Sequence, residues 1–142
     1  MVFPILNLSQ AFSKLSNVIM KDLYQLEAEA PILRQTIELY KEFCVYLKTF
    51  PKKDQYMLGR RCEEYILDFI EVVVGATSAV RQEKLGLLID ASAKFEVLKM
   101  LFRVARDLKM LDNKKYLSLE TRIQEIGKML GGWMRSLNLK TA

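Results

Sequence analysis

The chain has 142 residues, half of them hydrophobic, a formal charge of +5 and no histidine. This length and apolar share suffice for one domain whose core needs neither disulfides nor a structural metal. Without histidine there is no Ser–His or Cys–His nucleophile pair and no Glu-x-x-His di-iron motif, so we predict no catalytic residue, no metal and no cofactor.

The first predicted element is an amphipathic helix over residues 8–29. Its apolar residues recur at steps of three and four: Leu8, Phe12, Leu15, Ile19, Leu23 and Leu26. Pro31 ends it, because the residue before a proline avoids the helical region. We therefore predict an N-terminal amphipathic extension over residues 1–30 and a separate domain over residues 31–139. The start lacks the basic residues of a secretory signal, so no export is expected.

Two helices are predicted next. Pro31 suits the first position of a helix that ends at Phe50-Pro51. Its predicted core face is Leu33, Ile37, Tyr40, Cys44 and Leu47. The segment "PKKD" predicts a turn in which Asp54 caps the second helix, which then ends at Gly75 in the breaker "GATSA". The second helix presents a broad apolar face: Met57, Leu58, Ile66, Leu67, Phe69, Ile70, Val73 and Val74.

A third helix is predicted over about 82–110 and a fourth after the turn "LDNKK". The apolar positions of the third are Leu85, Leu88, Phe95, Leu98, Leu101, Phe102, Ala105 and Leu108. The fourth has a heptad-like seam: Tyr116, Leu119, Ile123, Ile126, Leu130, Trp133 and Leu137. No segment alternates with period two, so we predict an all-α antiparallel up-down four-helix bundle with an additional N-terminal helix.

Charge is distributed unevenly along the chain. Residues 1–90 carry 11 Lys and Arg against 12 Asp and Glu, whereas residues 91–142 carry 11 against 5. The acidic row Glu64, Asp68 and Glu71 is interpreted as a solvated or salt-bridging face rather than a metal site. Because one region is acidic and the other basic, copies of the chain could complement each other head to tail and close into a ring.

The basic residues of the last two helices are the candidate binding residues. On the third helix Lys99, Arg103 and Arg106, with Lys109 at the margin, are predicted to lie opposite the apolar face. On the fourth, Lys128 and Arg135 share a polar face beside Gly131 and Gly132. A bare backbone flanked by cations allows close approach of a phosphate or a neighbouring subunit. The alternative is an ordinary solvated surface.

Three segments carry a family resemblance: "FPKKDQYMLGRRCEEYILDFIEVVVGA", "RQEKLGLLIDASAKFEVLKMLFRVARDLKML" and "EIGKMLGGWMRSLN". The most specific feature is the closing pattern Ile126-Gly127-x-x-Leu130-Gly131-x-Trp133. On these segments the chain resembles the accessory variability determinant (Avd) proteins of diversity-generating retroelements, over roughly residues 31–139. Residues 1–30 extend beyond the usual start of that family.

The resemblance implies four-helix protomers assembled into a positively charged homopentameric barrel. It implies a non-catalytic protein that binds the element's reverse transcriptase and its template RNA, or an RNA/DNA hybrid, and supports adenine-mutagenic copying into a target gene. The residues here that match this idea are Arg103, Arg106, Lys128 and Arg135, with Arg60 and Arg61 as lesser candidates and Gly127, Gly131 and Gly132 as close-contact glycines.

Two other functions stay open. One is a structural oligomer whose charged faces serve only subunit or protein contacts, and the other is a four-helix protein encoded within a ribosomal RNA intervening sequence. Whichever function holds, the compartment is predicted to be the cytoplasm, because Cys44 and Cys62 lack a disulfide or CxxC pattern and no run of 18 apolar residues could form a membrane span.

Overall fold

The computed structural model describes residues 9, 10, 13, 17 and 30–139. Within these residues it contains four long helices and no strand: α1 (Pro31–Leu47), α2 (Arg60–Ser78), α3 (Arg81–Asp107) and α4 (Asn113–Leu139). The all-α prediction is confirmed. The predicted helix over residues 8–29 lies outside the described residues, apart from four polar positions along it.

The four helices form an antiparallel up-down bundle. α1 packs on α2 and α4, and α3 packs on the same two helices, so α1 and α3 occupy opposite corners. Each connection is short, which forces sequential helices to run in opposite directions. The bundle topology therefore agrees with the prediction from the short turns.

The core is built around phenylalanines from three helices. Phe43 stacks on Phe102 with ring centroids 5.4 Å apart, and Phe69 lies 5.2 Å from Phe95. Phe50, from the connection after α1, meets Phe43 edge-on at 6.1 Å. Aromatic pairs of this kind contribute about 0.5–1.5 kcal/mol beyond the area they bury. These contacts hold α1 against α3 and α2 against α3 through the centre of the bundle.

The core-facing row of α1 differs from the prediction by one position. The buried residues are Ile32, Leu33, Thr36, Leu39 and Phe43, whereas Ile37, Tyr40, Cys44 and Leu47 are only half-buried. Because Thr36 is polar, the apolar pattern of this row is interrupted in the sequence. Its hydroxyl donates a 2.7 Å hydrogen bond to the Ile32 carbonyl oxygen, so the buried polar group is satisfied within its own helix.

The predicted turn over "PKKD" is wrong. A short helical segment begins at Lys52–Asp54 and continues through a π-helical turn, Gln55–Gly59, directly into α2. The Pro51 carbonyl oxygen accepts the first bonds, from the backbone N–H groups of Asp54 and Gln55. Asp54 therefore lies inside the helix instead of capping it. Gly59 fits closely here: a Cβ at this position would lie 2.3 Å from Leu47 Cδ1 and 3.2 Å from the Asp54 carbonyl oxygen, so the Leu47 side chain would have to move.

The breaks around α3 also differ from the prediction. α2 continues through Gly75 to Ser78, and the chain turns at Ala79 and Val80, whose backbone is extended. α3 then ends at Asp107, three residues early, where Lys109 adopts a left-handed φ of 63°. A helix C-terminus often places such a residue just beyond its last turn. Glycine is thus not what ends either helix.

Several apolar residues predicted to face the core are exposed instead. They are Met57, Leu67 and Leu108, and Val97 is exposed with them. A bundle helix has one core-facing side, and α2 and α3 carry more apolar positions than that side holds. The α4 seam is confirmed from Tyr116 to Leu130, all buried. Trp133 and Leu137 are half-buried, and α4 runs through Gly131 and Gly132.

Candidate nucleic-acid and partner interface

Two cations of α3, Lys99 and Arg106, lie along the edge of the helix that borders α4. The Arg106 guanidinium stands 4.4 Å above the ring of Tyr116 in α4, and Lys99 lines the groove between the two helices. Lys99 and Arg106 therefore do not lie opposite the core as predicted, whereas Arg103 is exposed. The core row of α3 runs through Phe95, Leu98 and Phe102, and the cations flank it.

The cations of α3 differ in the ion pairs and hydrogen bonds that they form within the chain. Arg106 donates from Nε and Nη2 to Asp107 Oδ1, at 3.2 and 3.1 Å, and Lys99 Nζ donates to Glu96 Oε1 at 2.8 Å. Arg103 is exposed, and no ion pair or hydrogen bond of its side chain occurs among the described residues. Arg103 is consequently the α3 cation most available to a partner.

Lys128 faces Lys99 across a groove between α3 and α4. The groove has a volume of about 580 Å³. Its lining combines apolar residues and glycines with both signs of charge: Phe95, Ile123, Leu130, Gly127, Gly131, Glu96 and Glu120. The two carboxylates offset the two lysines, so the groove as a whole is not strongly basic.

The three close-contact glycines have different surroundings. A Cβ on Gly127 would lie 3.4 Å from Phe95 Cε1, so this glycine faces α3 inside the bundle. At Gly131 and Gly132 the nearest atoms belong to the Arg135 guanidinium, at 3.5 and 3.9 Å. The backbone at these two glycines is thus covered by an exposed, flexible side chain of the same helix. A partner could displace that side chain at little cost.

Arg60 and Arg61 lie on the exposed first turn of α2. Both pair with Glu64, at 3.3 and 3.1 Å, and Arg61 also lies 5.3 Å from the ring of Tyr65. Exposed pairs of this kind contribute little to stability, about 0–1 kcal/mol, and are easily exchanged for another anion. Because the helices are antiparallel, this turn lies at the same end of the bundle as Arg106 and Lys109.

The structure reveals a basic end that the sequence reasoning missed. We define the basic end as residues 48–61 and 106–115, which contain nine Lys and Arg but three carboxylates. Lys115 joins the two segments, since its Nζ donates to Thr49 Oγ1 at 3.2 Å. Tyr56 and Met57 project from the π-helical turn with exposed fractions of 70% and 65%. The Lys-Lys and Arg-Arg pairs on either side of Tyr56 were the available signal.

Arg122 is paired with Glu42 of α1 and joins two helices of the bundle. Glu42 of α1 accepts hydrogen bonds from Tyr46, Ser118 and Arg122, the last two from α4. Burial alone would raise the pKa of Glu42, but the bonds from these three partners outweigh it and hold that pKa below its usual value. Glu42 and Arg122 therefore join α1 to α4 and are not available to a ligand.

The remaining polar groups give no further site. Among residues 30–139, no three His, Cys, Asp or Glu side chains are grouped as metal ligands, and Glu64 of the acidic row pairs with arginines. Burial raises the pKa of the Cys62 thiol to about 12, which keeps it protonated and unreactive. No helix in the described part of the chain is long and apolar enough to cross a membrane.

Comparison with known proteins gives one family match. A family model described as bAvd-like matches residues 31–137, which is most of the chain and covers the first three helices and all but the last two residues of α4. The matched range begins at the first residue of α1 and excludes residues 1–30. The search of curated proteins found no match.

Proposed function

The chain belongs to the bAvd-like family, and from this premise we propose that it is a non-catalytic accessory protein of a diversity-generating retroelement. In this role it binds the element's reverse transcriptase together with the template RNA or an RNA/DNA hybrid. It thereby supports mutagenic copying of the template repeat into a target gene in the cytoplasm. We assign residues 31–139 to the family domain and residues 1–30 to an extension of it. The family match across all four helices is the observation that carries the proposal.

The charge of the basic end supports contact with nucleic acid. Nine cations concentrated at one end of a small bundle attract a phosphate backbone, and each phosphate neutralised releases condensed counterions. The exposed ring of Tyr56 lies among these cations, where it can stack on an unpaired base. Arg103 extends this surface along α3, and Lys99, Lys128 and Arg135 continue the basic residues towards the far end.

The same proposal includes assembly into a homopentameric ring. Head-to-tail contacts between unlike surfaces close into a ring when the rotation between subunits permits it. A ring of bundles would place several basic ends side by side, and the reverse transcriptase and the RNA would then meet more cations than one protomer presents.

Charge reversal at Arg103 tests the nucleic-acid part of this function. Arg103→Glu should weaken binding to single-stranded RNA and lower the salt slope of log K by about one, because one phosphate contact is lost. Arg34→Glu is the matched control, since Arg34 is also an exposed arginine but lies on α1 near the opposite end of the bundle. Equal effects of both variants on RNA affinity would contradict a contact at Arg103.

Co-purification with the reverse transcriptase encoded beside the protein tests the proposed binding of that enzyme. The full chain is expected to bring down the enzyme, and the complex should retain template RNA at low salt. Failure to bind the enzyme in the presence of the RNA would contradict the accessory role.

A structural role is the second candidate, and one observation favours it. Arg60, Arg61, Lys99 and Arg106 all form ion pairs within the chain, so several cations are already compensated. If Arg103→Glu disrupts the assembly while RNA binding is retained, the charges serve protein contacts, as in a structural oligomer.

A further inference from the structure

Tyr56 differs from the other tyrosines of residues 30–139 in having no partner within that part of the chain. Each of the others either donates a hydroxyl hydrogen bond to a carboxylate or lies beneath an arginine guanidinium: Tyr40, Tyr46, Tyr65 and Tyr116. Tyr56 forms no hydrogen bond and no ring contact with the described residues, and it is 70% exposed. The fold therefore uses four tyrosine side chains and leaves this one facing solvent.

The π-helical turn that carries Tyr56 is held against the bundle from its other side. Gln55 Nε2, at the start of the turn, donates to the Phe50 carbonyl oxygen at 2.9 Å. Gly59, at its end, is buried, and a Cβ there would overlap Leu47 Cδ1 and approach Phe50 Cδ2. Both ends of the turn are thus fixed, and turns of this kind are frequent at functional sites. Because Tyr56 stands on a packed helical turn, a ligand that stacks on its ring has little chain to order.

Cations lie on both sides of Tyr56 along its helix. Residues three and four positions apart share one side of a helix, so Lys52, Lys53 and Arg60 flank the ring. The two lysines are exposed and form no ion pair with the described residues. Arg60 forms one exposed ion pair, which another anion can replace. The nearest carboxylate in sequence, Asp54, precedes Tyr56 by two positions and lies on a different side. The surroundings of the ring are therefore positive.

An exposed aromatic ring among cations matches the chemistry of an unpaired nucleotide. Lysine and arginine bind phosphates in single strands and in duplexes alike, so charge alone does not distinguish the two. An aromatic ring binds the flat face of a base, and that face is available only where the base is not stacked between its neighbours in a duplex. Tyr56 therefore provides a means of distinguishing single strands from duplexes that the cations of the basic end do not provide.

We propose that the basic end selects single-stranded RNA through Tyr56. One unpaired base stacks on the exposed ring, and the phosphates on either side of that nucleotide bind Lys52, Lys53 and Arg60. The inference rests on the proposed function, which supplies the RNA, and it specifies which part of that RNA is bound. Loops and unpaired stretches occupy the site at Tyr56, whereas helical stems are attracted by charge alone and bind more weakly.

Fluorescence anisotropy with the full chain and two labelled RNAs tests this selection. The probes are a short unstructured RNA strand and the blunt-ended duplex that it forms with its complement. The wild-type protein should bind the single strand more tightly than the duplex at the same salt concentration. Tyr56→Ala should weaken binding to the single strand about 5- to 150-fold, because one stacked base is lost, and should leave binding to the duplex unchanged. Tyr56→Phe keeps the ring and should bind both RNAs as the wild type does.

Two further variants separate stacking from exposure and from charge. Met57→Ala is the matched control, because Met57 is 65% exposed on the same turn but has no flat face for a base. It should leave the affinity for the single strand nearly unchanged. Lys53→Gln should lower the slope of log K against log salt concentration by about 0.7 for the single strand, because one phosphate contact is lost. Tyr56→Ala removes no phosphate contact and should leave that slope unchanged.

Failure of the selection can be distinguished from failure of the proposed function. Equal affinity of the wild type for the two RNAs, or equal effects of Tyr56→Ala and Met57→Ala, would overturn the selection and leave RNA binding itself intact. A wild-type chain that binds neither RNA would contradict the RNA-binding part of the proposed function together with the selection. If Tyr56→Ala changes the mass of the assembly in light scattering, or the binding of the reverse transcriptase, while RNA affinity is retained, Tyr56 contacts protein and the selection is wrong.

Discussion

α3 and α4 are a matched pair that differ on their outer sides. Both have 27 residues, and both place one row of apolar side chains in the same core. The outer side of α4 is polar except for Leu117, whereas the outer side of α3 is a continuous apolar row. Packing in the core explains the apolar rows on the inner sides of both helices, but it does not explain the apolar row on the outer side of α3. The apolar outer side of α3, which α4 lacks, is therefore the surface that is most informative about binding partners.

The inner side of α3 should show the largest effect of any single substitution. Phe102→Ala removes a fully buried ring that stacks on Phe43, and we expect a loss of about 3–5 kcal/mol in the free energy of unfolding. Urea denaturation followed by circular dichroism measures it. Leu117→Ala, on the outer side of α4, is the control and should change stability by less than about 0.5 kcal/mol. Similar losses for both variants would remove the distinction between inner and outer sides.

The next effect concerns α4, which unlike α3 is joined to α1 by a polar network. Glu42→Gln should cost about 1–3 kcal/mol, because the Arg122 guanidinium then loses its carboxylate. The pH dependence follows from the lowered pKa of Glu42. The stabilisation is present above the pKa of the unfolded carboxyl and is lost as pH falls through the lower folded value. Unfolding free energies of the two proteins should therefore converge in acid, and parallel pH curves would contradict this role of Glu42.

A substitution in the connection between α3 and α4 should raise the stability of the protein by a smaller amount. Lys109 has φ of 63°, a conformation that costs a residue with a side chain about 1–2 kcal/mol. Lys109→Gly should therefore raise stability by about 1 kcal/mol, measured by thermal unfolding. Lys114→Gly, inside the first turn of α4, should lower it. If Lys109→Gly destabilises the protein, the lysine side chain makes a contact that outweighs the backbone strain.

The smallest effect concerns Gly131 of α4, which lines the groove between α3 and α4. Gly131→Ala should raise stability by about 0.5–1 kcal/mol, since the new Cβ meets only the flexible end of Arg135 at 3.5 Å. Gly59→Ala is the contrast, because its Cβ would clash with Leu47 and the variant should be destabilised. If Gly131→Ala stabilises the protein but weakens RNA binding or assembly, the predicted close contact at this glycine is supported. Unchanged binding and assembly would argue against it.

The sequence predicted the helices better than it predicted their orientation. The α4 seam could be predicted because Leu119, Ile123 and Ile126 alternate with polar residues, so one side alone is apolar. α3 has two apolar rows, and periodicity cannot decide which of them faces the core. In α1 a buried threonine disguised the inner row. The polar side chain of Thr36 is satisfied by its own helix, which no spacing rule indicates.

The candidate site was predictable only in part, for a different reason. Arg103, Arg106 and Lys128 could be chosen from helical spacing within single elements. The basic end combines two segments about 50 residues apart in sequence, and the acidic residues elsewhere in the first 90 masked its charge. Its existence depends on the antiparallel packing that brings Lys115 to Thr49. A surface of this kind is a property of the fold rather than of any one motif.

The position of Trp133 has an optical consequence. It is the chain's one tryptophan, half-buried in a cleft of about 480 Å³ whose wall includes Ala30 and Pro31. Its fluorescence therefore originates where residues 1–29 join the bundle. An indole that becomes less hydrated emits at shorter wavelength, so a ligand or partner that covers this cleft should shift the emission maximum to shorter wavelength. The protein thus contains an intrinsic probe of this end of the bundle, which can report on binding in the cleft without an added label.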